Sequence, residues 1–103
     1  MIYSETVQIP DKIVYDNVKL KVTEISANAC KNNKNISKVI VGANVKKIKK
    51  NAFLGCTQLK KLEIKSKKIN SIGKNAFSGI SKKAVISVPV SKEKKYQKWF
   101  DMK

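Results

Sequence analysis

Residue types that carry enzyme chemistry are scarce in this sequence. It contains no histidine, which excludes a Ser-His or Cys-His nucleophile pair and a histidine-ligated metal. The central carboxylates, Glu24 and Glu63, stand far apart in the chain, so the pair that two-carboxylate catalysis requires is missing. No glycine-rich phosphate loop follows a predicted strand. We therefore expect a protein that is not an enzyme and that uses no cofactor, no metal and no small-molecule substrate.

The two cysteines are better explained by packing than by chemistry. Cys30 and Cys56 each fall in an apolar column of the repeat described below, where buried thiols are expected. Two cysteines do not form a disulfide framework. A bridge between them is the alternative, although their positions within neighbouring repeats differ by three residues.

The charge of the chain is strongly one-sided. All 23 basic residues are lysine, seven residues are acidic, and the net charge is +16. Such a field attracts polyanions, including nucleic acid, anionic lipid, teichoic acid and acidic glycans. Because lysine lacks the guanidinium fork that reads guanine or a fixed phosphate, the absence of arginine favours diffuse attraction over specific recognition. An AT-rich coding sequence would produce the same lysine excess without any ligand, and the sequence is consistent with both explanations.

The length and the apolar content predict one folded domain over residues 1–103. Apolar residues make up 42% of the chain, which is enough for a core and argues against disorder despite the charge. The uncharged apolar runs are too short for a transmembrane segment. The opening residues lack the basic and apolar regions of a secretory signal, so a cytoplasmic location is expected if Met1 is the native start.

Three segments of the chain repeat in phase. Residues 22–30, 45–53 and 69–77 align, and their shared asparagines, Asn28, Asn51 and Asn75, are 23 and then 24 residues apart. A second apolar set follows each copy, with the spacing of a strand that buries one face. Its members are Ile36, Val39 and Val41, then Leu59, Leu62 and Ile64, then Ile86 and Val88.

A repeat of this size predicts a solenoid, because one coil cannot bury its apolar columns unless neighbouring coils stack on it. In such a stack Phe53 and Phe77 should lie one above the other, with Cys30 as a smaller substitute in the first coil. The Asn-Ala-Phe segment followed by glycine predicts a short helical turn that closes each coil. We expect the three asparagines to cap these turns, and an asparagine ladder that binds a ligand is the alternative.

The motif also carries a family resemblance. Residues 45–64 read Val-x-x-Ile-x-x-Asn-Ala-Phe-x-Gly-Cys-x-x-Leu-x-x-Leu-x-Ile, which resembles the BspA-type (Treponema-type) leucine-rich repeat of bacterial surface proteins. The similarity runs from about residue 22 to residue 89, and residues 6–10 and 14–22 resemble the strand pair that often precedes such repeats. The resemblance implies a cell-surface or secreted protein whose usual role is adhesion or protein–protein contact.

These observations together predict an α/β leucine-rich-repeat solenoid of about three coils with 23–24 residues each. Residues 1–21 would form an N-terminal β-hairpin cap that turns at Asp16 and Asn17, residues 22–89 the repeats, and residues 90–103 a short C-terminal cap helix. Ser91 should cap that helix, and Tyr96, Trp99 and Phe100 fall on one of its faces. We expect this face to be a hydrophobic lid, and stacking on nucleic-acid bases is the alternative.

The outward residues of the predicted strands are the candidate binding residues. They mix aliphatic side chains with charge, a composition suited to contact with another macromolecule. They are Lys38, Ile40, Lys61, Glu63, Lys65, Val85 and Ser87. A second group of lysines belongs to the turns: Lys46, Lys47, Lys49, Lys50, Lys67, Lys68 and Lys74.

Three functional hypotheses follow. The first is a non-catalytic module that binds a protein of a host or bacterial surface. The second is a module that binds an acidic polymer (nucleic acid, teichoic acid or an anionic glycan) through its lysine charge. The third is a terminal structural fragment of a longer repeat protein.

Overall fold

The computed structural model describes residues 5–15 and 18–101. Almost all of the regular structure is short strands, and one helix lies near the C-terminus. The elements are β1 (Glu5–Ile9), β2 (Lys12–Tyr15), β3 (Val18–Lys21), β4 (Glu24–Ile25), β5 (Ile36–Val41), β6 (Lys47–Ile48), β7 (Lys61–Ile64), β8 (Ser71–Ile72), β9 (Val85–Ser87), a 3₁₀ turn (Val90–Lys92) and α1 (Glu93–Asp101).

The main sheet has four parallel strands in the order β1-β5-β7-β9. Val39, Leu62 and Ile86 occupy one row across β5, β7 and β9. Val39 and Leu62 are fully buried, as are Val41 and its partner Ile64. The alternation of buried and outward residues that the sequence predicted for β5 and β7 is thus confirmed.

A second parallel sheet, β4-β6-β8, brings the other apolar column together. Ile25, Ile48 and Ile72 form its inward row, and Glu24, Lys47 and Ser71 form its exposed row. Each of these strands is only two residues long. The apolar columns read from the sequence therefore lie on two parallel sheets that face one core.

The asparagine segments are built from consecutive β-turns, so the prediction of a short helical turn is wrong. In the middle repeat the N–H groups of Ala52, Leu54 and Cys56 donate to the carbonyl oxygens three residues earlier. Asn51 is the third residue of the turn 49–52 and has φ 60°, the left-handed value that a type II turn requires there. Asn28 and Asn75 have φ 62° and 60°, so backbone conformation explains the shared asparagine.

These turns are also stacked by backbone hydrogen bonds between repeats. The N–H groups of Asn28 and Asn51 donate to the carbonyl oxygens of Lys50 and Lys74, each at 3.1 Å. Cys30 and Phe53 donate in the same way to Ala52 and Ala76, each at 2.7 Å. Neighbouring repeats are thus joined along the turns as well as along both sheets.

Phe53 and Phe77 lie one above the other in the core, as predicted. Their ring centroids are 5.3 Å apart and their planes differ by 8°. Phe53 is fully buried, whereas Phe77 is only partly buried and also meets Phe100 of α1 at 5.5 Å. The aromatic column therefore continues from the repeats into the C-terminal helix.

At the N-terminal end, the predicted hairpin strands form and pair with each other. β2 and β3 are antiparallel, with Tyr15 opposite Val18, while the predicted turn residues Asp16 and Asn17 lie outside the described residues. β1 does not pair with this hairpin. It adds to the main sheet in parallel with β5, so that Val7 lies opposite Val39.

At the C-terminal end, α1 packs one side against the core. Tyr96 is fully buried, and Trp99 and Phe100 are partly buried against the same cluster, so the aromatic stripe packs as a lid. Ser91 is not the cap of this helix, because it lies inside the 3₁₀ turn and α1 begins at Glu93. Pro89 precedes the 3₁₀ turn and makes no side-chain cap hydrogen bond.

Candidate binding surfaces

The outward residues of the main sheet form two rows on one face. One row runs Thr6, Lys38, Lys61 and Val85, and the other runs Gln8, Ile40, Glu63 and Ser87. We call these two rows, with Lys65, the outer face. Because adjacent strands are about 4.8 Å apart, the side chains of each row are close neighbours. All seven candidate residues lie on the outer face.

Exposure differs along the outer face. Lys61, Lys65, Val85 and Ser87 are exposed, whereas Lys38, Ile40 and Glu63 are half-buried. Val85 is 62% exposed, an unusual value for a large aliphatic residue in a sheet. The face thus combines aliphatic side chains that water reaches with lysine ammonium groups and one carboxylate.

Thr6 and Gln8 belong to the outer face although the sequence analysis did not select them. Both are exposed and lie opposite Lys38 and Ile40. The sequence offered no clear signal, because the strand pattern of residues 6–10 does not state which strand it pairs with. The parallel register of β1 reveals their position.

The lysines of the turns lie on a separate surface. Lys46, Lys47, Lys49, Lys50, Lys67, Lys68 and Lys74 are all exposed. We call this set the lysine group. Among the described residues its one salt bridge joins Lys49 Nζ to Glu24 Oε2 at 3.3 Å, and Lys68 Nζ donates to Asn44 Oδ1 at 3.3 Å. The positive charge of this surface is therefore largely uncompensated by neighbouring carboxylates.

The titratable groups with shifted pKa values lie inside the core. Burial raises the pKa of the Cys56 thiol, against a smaller opposing effect of a backbone hydrogen bond with Asn33. Cys56 Sγ donates to the carbonyl oxygen of Cys30 at 3.1 Å. A raised pKa keeps the thiol protonated at neutral pH, the opposite of what a cysteine nucleophile needs.

The second group with a shifted pKa is the phenol of Tyr96. Burial raises the pKa of its phenol, and hydrogen bonds with Ile69 and Ser66 oppose that shift. The hydroxyl of Ser66, the buried polar side chain beside it, donates to the carbonyl oxygen of Val45 at 2.6 Å. The hydrogen bonds of this network hold parts of the fold together.

In the described ranges, 5–15 and 18–101, no group of three or more potential metal ligands comes together.

A further polar contact holds the start of the repeats. Asp11 Oδ1 accepts a hydrogen bond from the N–H of Ala43 at 2.7 Å, and the carbonyl oxygen of Asp11 accepts one from Asn44 Nδ2 at 3.0 Å. The N–H of Val22 donates to the same carbonyl oxygen. Asp11 therefore fastens the segment after β1 to the turn after β5, a role that its place in the sequence did not indicate.

Comparison with known families agrees with this geometry. The family model described as BspA type leucine rich repeat region matches six copies over residues 5–103. The chain belongs to this family. The match to the BspA-type repeat begins at β1 and extends past α1, so it includes both ends that the sequence analysis assigned to caps. Neither the curated proteins nor the solved structures contain a significant match to the chain.

Membership of the BspA-type family sets the general character of the protein. Leucine-rich repeats are generally non-catalytic binding modules, and their partners are generally proteins. BspA-type proteins are typically surface or secreted proteins. None of the helices in the described part of the chain has the length and apolar content needed to cross a membrane.

Proposed function

We propose that this chain is a non-catalytic protein-binding module that acts in adhesion at a bacterial cell surface, and that the outer face is its contact surface. In this proposal residues 1–103 form one leucine-rich-repeat solenoid of about three coils between two caps. The partner is a protein of a host or bacterial surface.

The register of the outer face is the observation that carries this proposal. Lys38, Lys61 and Val85 stand side by side on three parallel strands, and Ile40, Glu63 and Ser87 stand beside them. The strand framework fixes the backbone of these residues, so that no backbone has to be ordered when a partner binds. Exposed aliphatic groups among charges are the composition from which protein interfaces are built.

The experiment is a pull-down with the immobilised chain, from host matrix and from bacterial envelope extracts, at low and at physiological salt. Ile40→Ser on the outer face should reduce capture of the partner about fivefold or more, because an interface residue with a buried aliphatic contact contributes about 1 kcal/mol or more. Val90→Ser is the matched control, since Val90 is 88% exposed and lies outside the main sheet. Equal capture by both variants would contradict the proposal.

The lysine group supports a second candidate function, binding of an acidic polymer such as teichoic acid, nucleic acid or an anionic glycan. Its seven members are Lys46, Lys47, Lys49, Lys50, Lys67, Lys68 and Lys74, all of them exposed. Within the described part of the chain, Lys49 alone among them forms a salt bridge, with Glu24. Binding by counterion release should weaken steeply between low and physiological salt. A contact centred on Ile40 should change little over the same range.

A further inference from the structure

The last strand of the main sheet, β9, has one open side. Its other side is paired with β7, and the N–H of Val85 donates to the carbonyl oxygen of Lys60 at 2.8 Å. Successive residues of a strand in a parallel ladder bond to opposite neighbours. The N–H and C=O of Ile86 therefore point away from β7, towards a side on which no strand of the described residues lies.

The core layer beneath β9 is incompletely covered. Leu62 and Ile64 of β7 are 0% and 3% exposed, whereas Ile86 and Val88 in the next layer are only partly buried. Cys56 is fully buried, but Ile80, its counterpart in the next repeat, is only partly buried. One more strand beside β9 would give these side chains the cover that β7 and β9 give the layers before them.

The helix α1 covers a different part of this layer. Phe100 meets the ring of Phe77, and Tyr96 bonds to Ser66 and Ile69. These contacts lie along the turns and the β4-β6-β8 side of the core. These contacts close the layer near β8, and none of them involves a residue of β9.

Charge favours one kind of occupant for the open side. Lys82 and Lys83 precede β9 and are both exposed. A second copy of this chain would bring another net charge of +16, so like-charge repulsion opposes pairing of β9 with itself. An acidic segment would be attracted to the end of the strand that Lys82 and Lys83 precede.

We propose that the open side of β9 binds an extended acidic segment of a partner protein, which adds a strand to the main sheet. The segment has apolar residues at alternate positions, which cover Ile86 and Val88, and acidic residues at the end that lies near Lys82 and Lys83. Backbone hydrogen bonds to Ile86 supply affinity, as in other cases of strand addition. This site is separate from the outer face and does not depend on the function proposed for it.

The probe is a capped synthetic peptide that alternates valine and threonine between pairs of glutamates. It should bind the full chain and shift the backbone amide resonances of Ile86 and Val88 in a heteronuclear NMR titration. The same peptide with its glutamates replaced by lysines should not bind. Two N-methylated versions of the probe are compared, one methylated at the odd-numbered residues and one at the even-numbered residues. Methylation of one set should weaken binding about fivefold and methylation of the other set should leave it unchanged, because only one set of peptide groups faces β9.

Two pairs of charge reversals locate the site on the protein. Lys82→Glu with Lys83→Glu should weaken binding of the acidic peptide about threefold to tenfold at low salt. Lys46→Glu with Lys47→Glu is the control. It changes the net charge by the same amount, but at and just before β6 of the second sheet, and should weaken binding far less. Ile40→Ser should leave peptide binding unchanged, which separates this site from the outer face.

Three results would overturn the proposal. The first is equal weakening by the two charge-reversal pairs, which would mean attraction by the overall field. The second is unchanged binding of both N-methylated versions of the probe. The third is binding of a DNA oligonucleotide to the same lysines with the same resonance shifts, which would identify a site for an acidic polymer and not for a strand.

Discussion

The phenol of Tyr96 and the backbone of Ser66 are joined by a buried hydrogen bond. Tyr96 Oη donates to the carbonyl oxygen of Ser66 at 2.8 Å and accepts from the N–H of Ile69 at 3.0 Å. The C-terminal helix is thereby attached to the loop that precedes β8, and two buried backbone groups of that loop obtain their partners.

Removal of the Tyr96 hydroxyl should therefore destabilise the fold with little change in packing. Tyr96→Phe leaves a buried N–H and a buried carbonyl oxygen unsatisfied, which costs about 1–3 kcal/mol. Denaturant unfolding measures this change. Ser71→Ala, at an exposed position of β8, is the control and should stay within about 0.5 kcal/mol of the parent chain. A Tyr96→Phe variant as stable as Ser71→Ala would show that the contact is not maintained in solution.

The same residue predicts a loss of stability in alkaline solution. Burial raises the pKa of Tyr96 above its ordinary value of 10.0, so the folded state holds its proton where the unfolded state has lost it. The contribution of this group is therefore complete below pH 10 and is lost as the pH rises through the raised value. The free energy of unfolding should fall less steeply above pH 10 in Tyr96→Phe than in the parent chain. Lysine titration is common to both proteins and cancels in the comparison; identical slopes would contradict the prediction.

The left-handed turn residues predict a specific coupling between Gly55 and Asn32. Gly55 has φ 77°, and a Cβ added there would overlap the side-chain oxygen of Asn32 in the neighbouring turn. Gly55→Ala should cost roughly 1–2 kcal/mol of left-handed strain, together with a smaller cost of displacing the Asn32 side chain. In the background Asn32→Gly, the overlap disappears and only the strain remains. A double-mutant cycle measured by thermal unfolding should therefore show favourable coupling, and strict additivity would exclude the overlap.

Asn51 offers a simpler test of the same conformation. Its φ of 60° favours asparagine or glycine, whereas other side chains pay a steric penalty. Asn51→Ala should lower the free energy of unfolding by about 1 kcal/mol, and Asn51→Gly should change it by less. If both substitutions destabilised the chain equally, the side chain of Asn51 and not its backbone would be responsible.

Much of this fold follows from the sequence because a strand that buries one face must alternate. The alternating apolar residues Val39 and Val41, like Leu62 and Ile64, predict the strands in which they lie. The repeated spacing predicts that Phe53 lies over Phe77. The turn geometry was predicted wrongly because asparagine is favoured both at helix caps and in left-handed turns. A single copy of the motif offers no way to choose between them.

The ends of the molecule were harder to predict than its middle. The strand pattern of residues 6–10 is the same whether β1 pairs with a hairpin or with β5, so Thr6 and Gln8 were missed. The outward residues from Lys38 to Ser87 follow from alternation once the strands are known. Asp11 could not have been selected, because its partners, Ala43 and Asn44, are more than thirty residues away.

Neighbouring repeats stabilise one another through a shared core. Native-state hydrogen exchange of the backbone amides of Val39 and Leu62, measured in the Phe53→Ala variant, tests this shared core most directly. Phe53 is fully buried, and its turn is hydrogen-bonded to the turns of the repeats before and after it. Loss of this ring should cost about 3–5 kcal/mol. If the core is shared, the protection of both amides should fall by the same factor. A loss confined to Leu62, with Val39 unchanged, would show that the repeats are independent and would contradict a shared core.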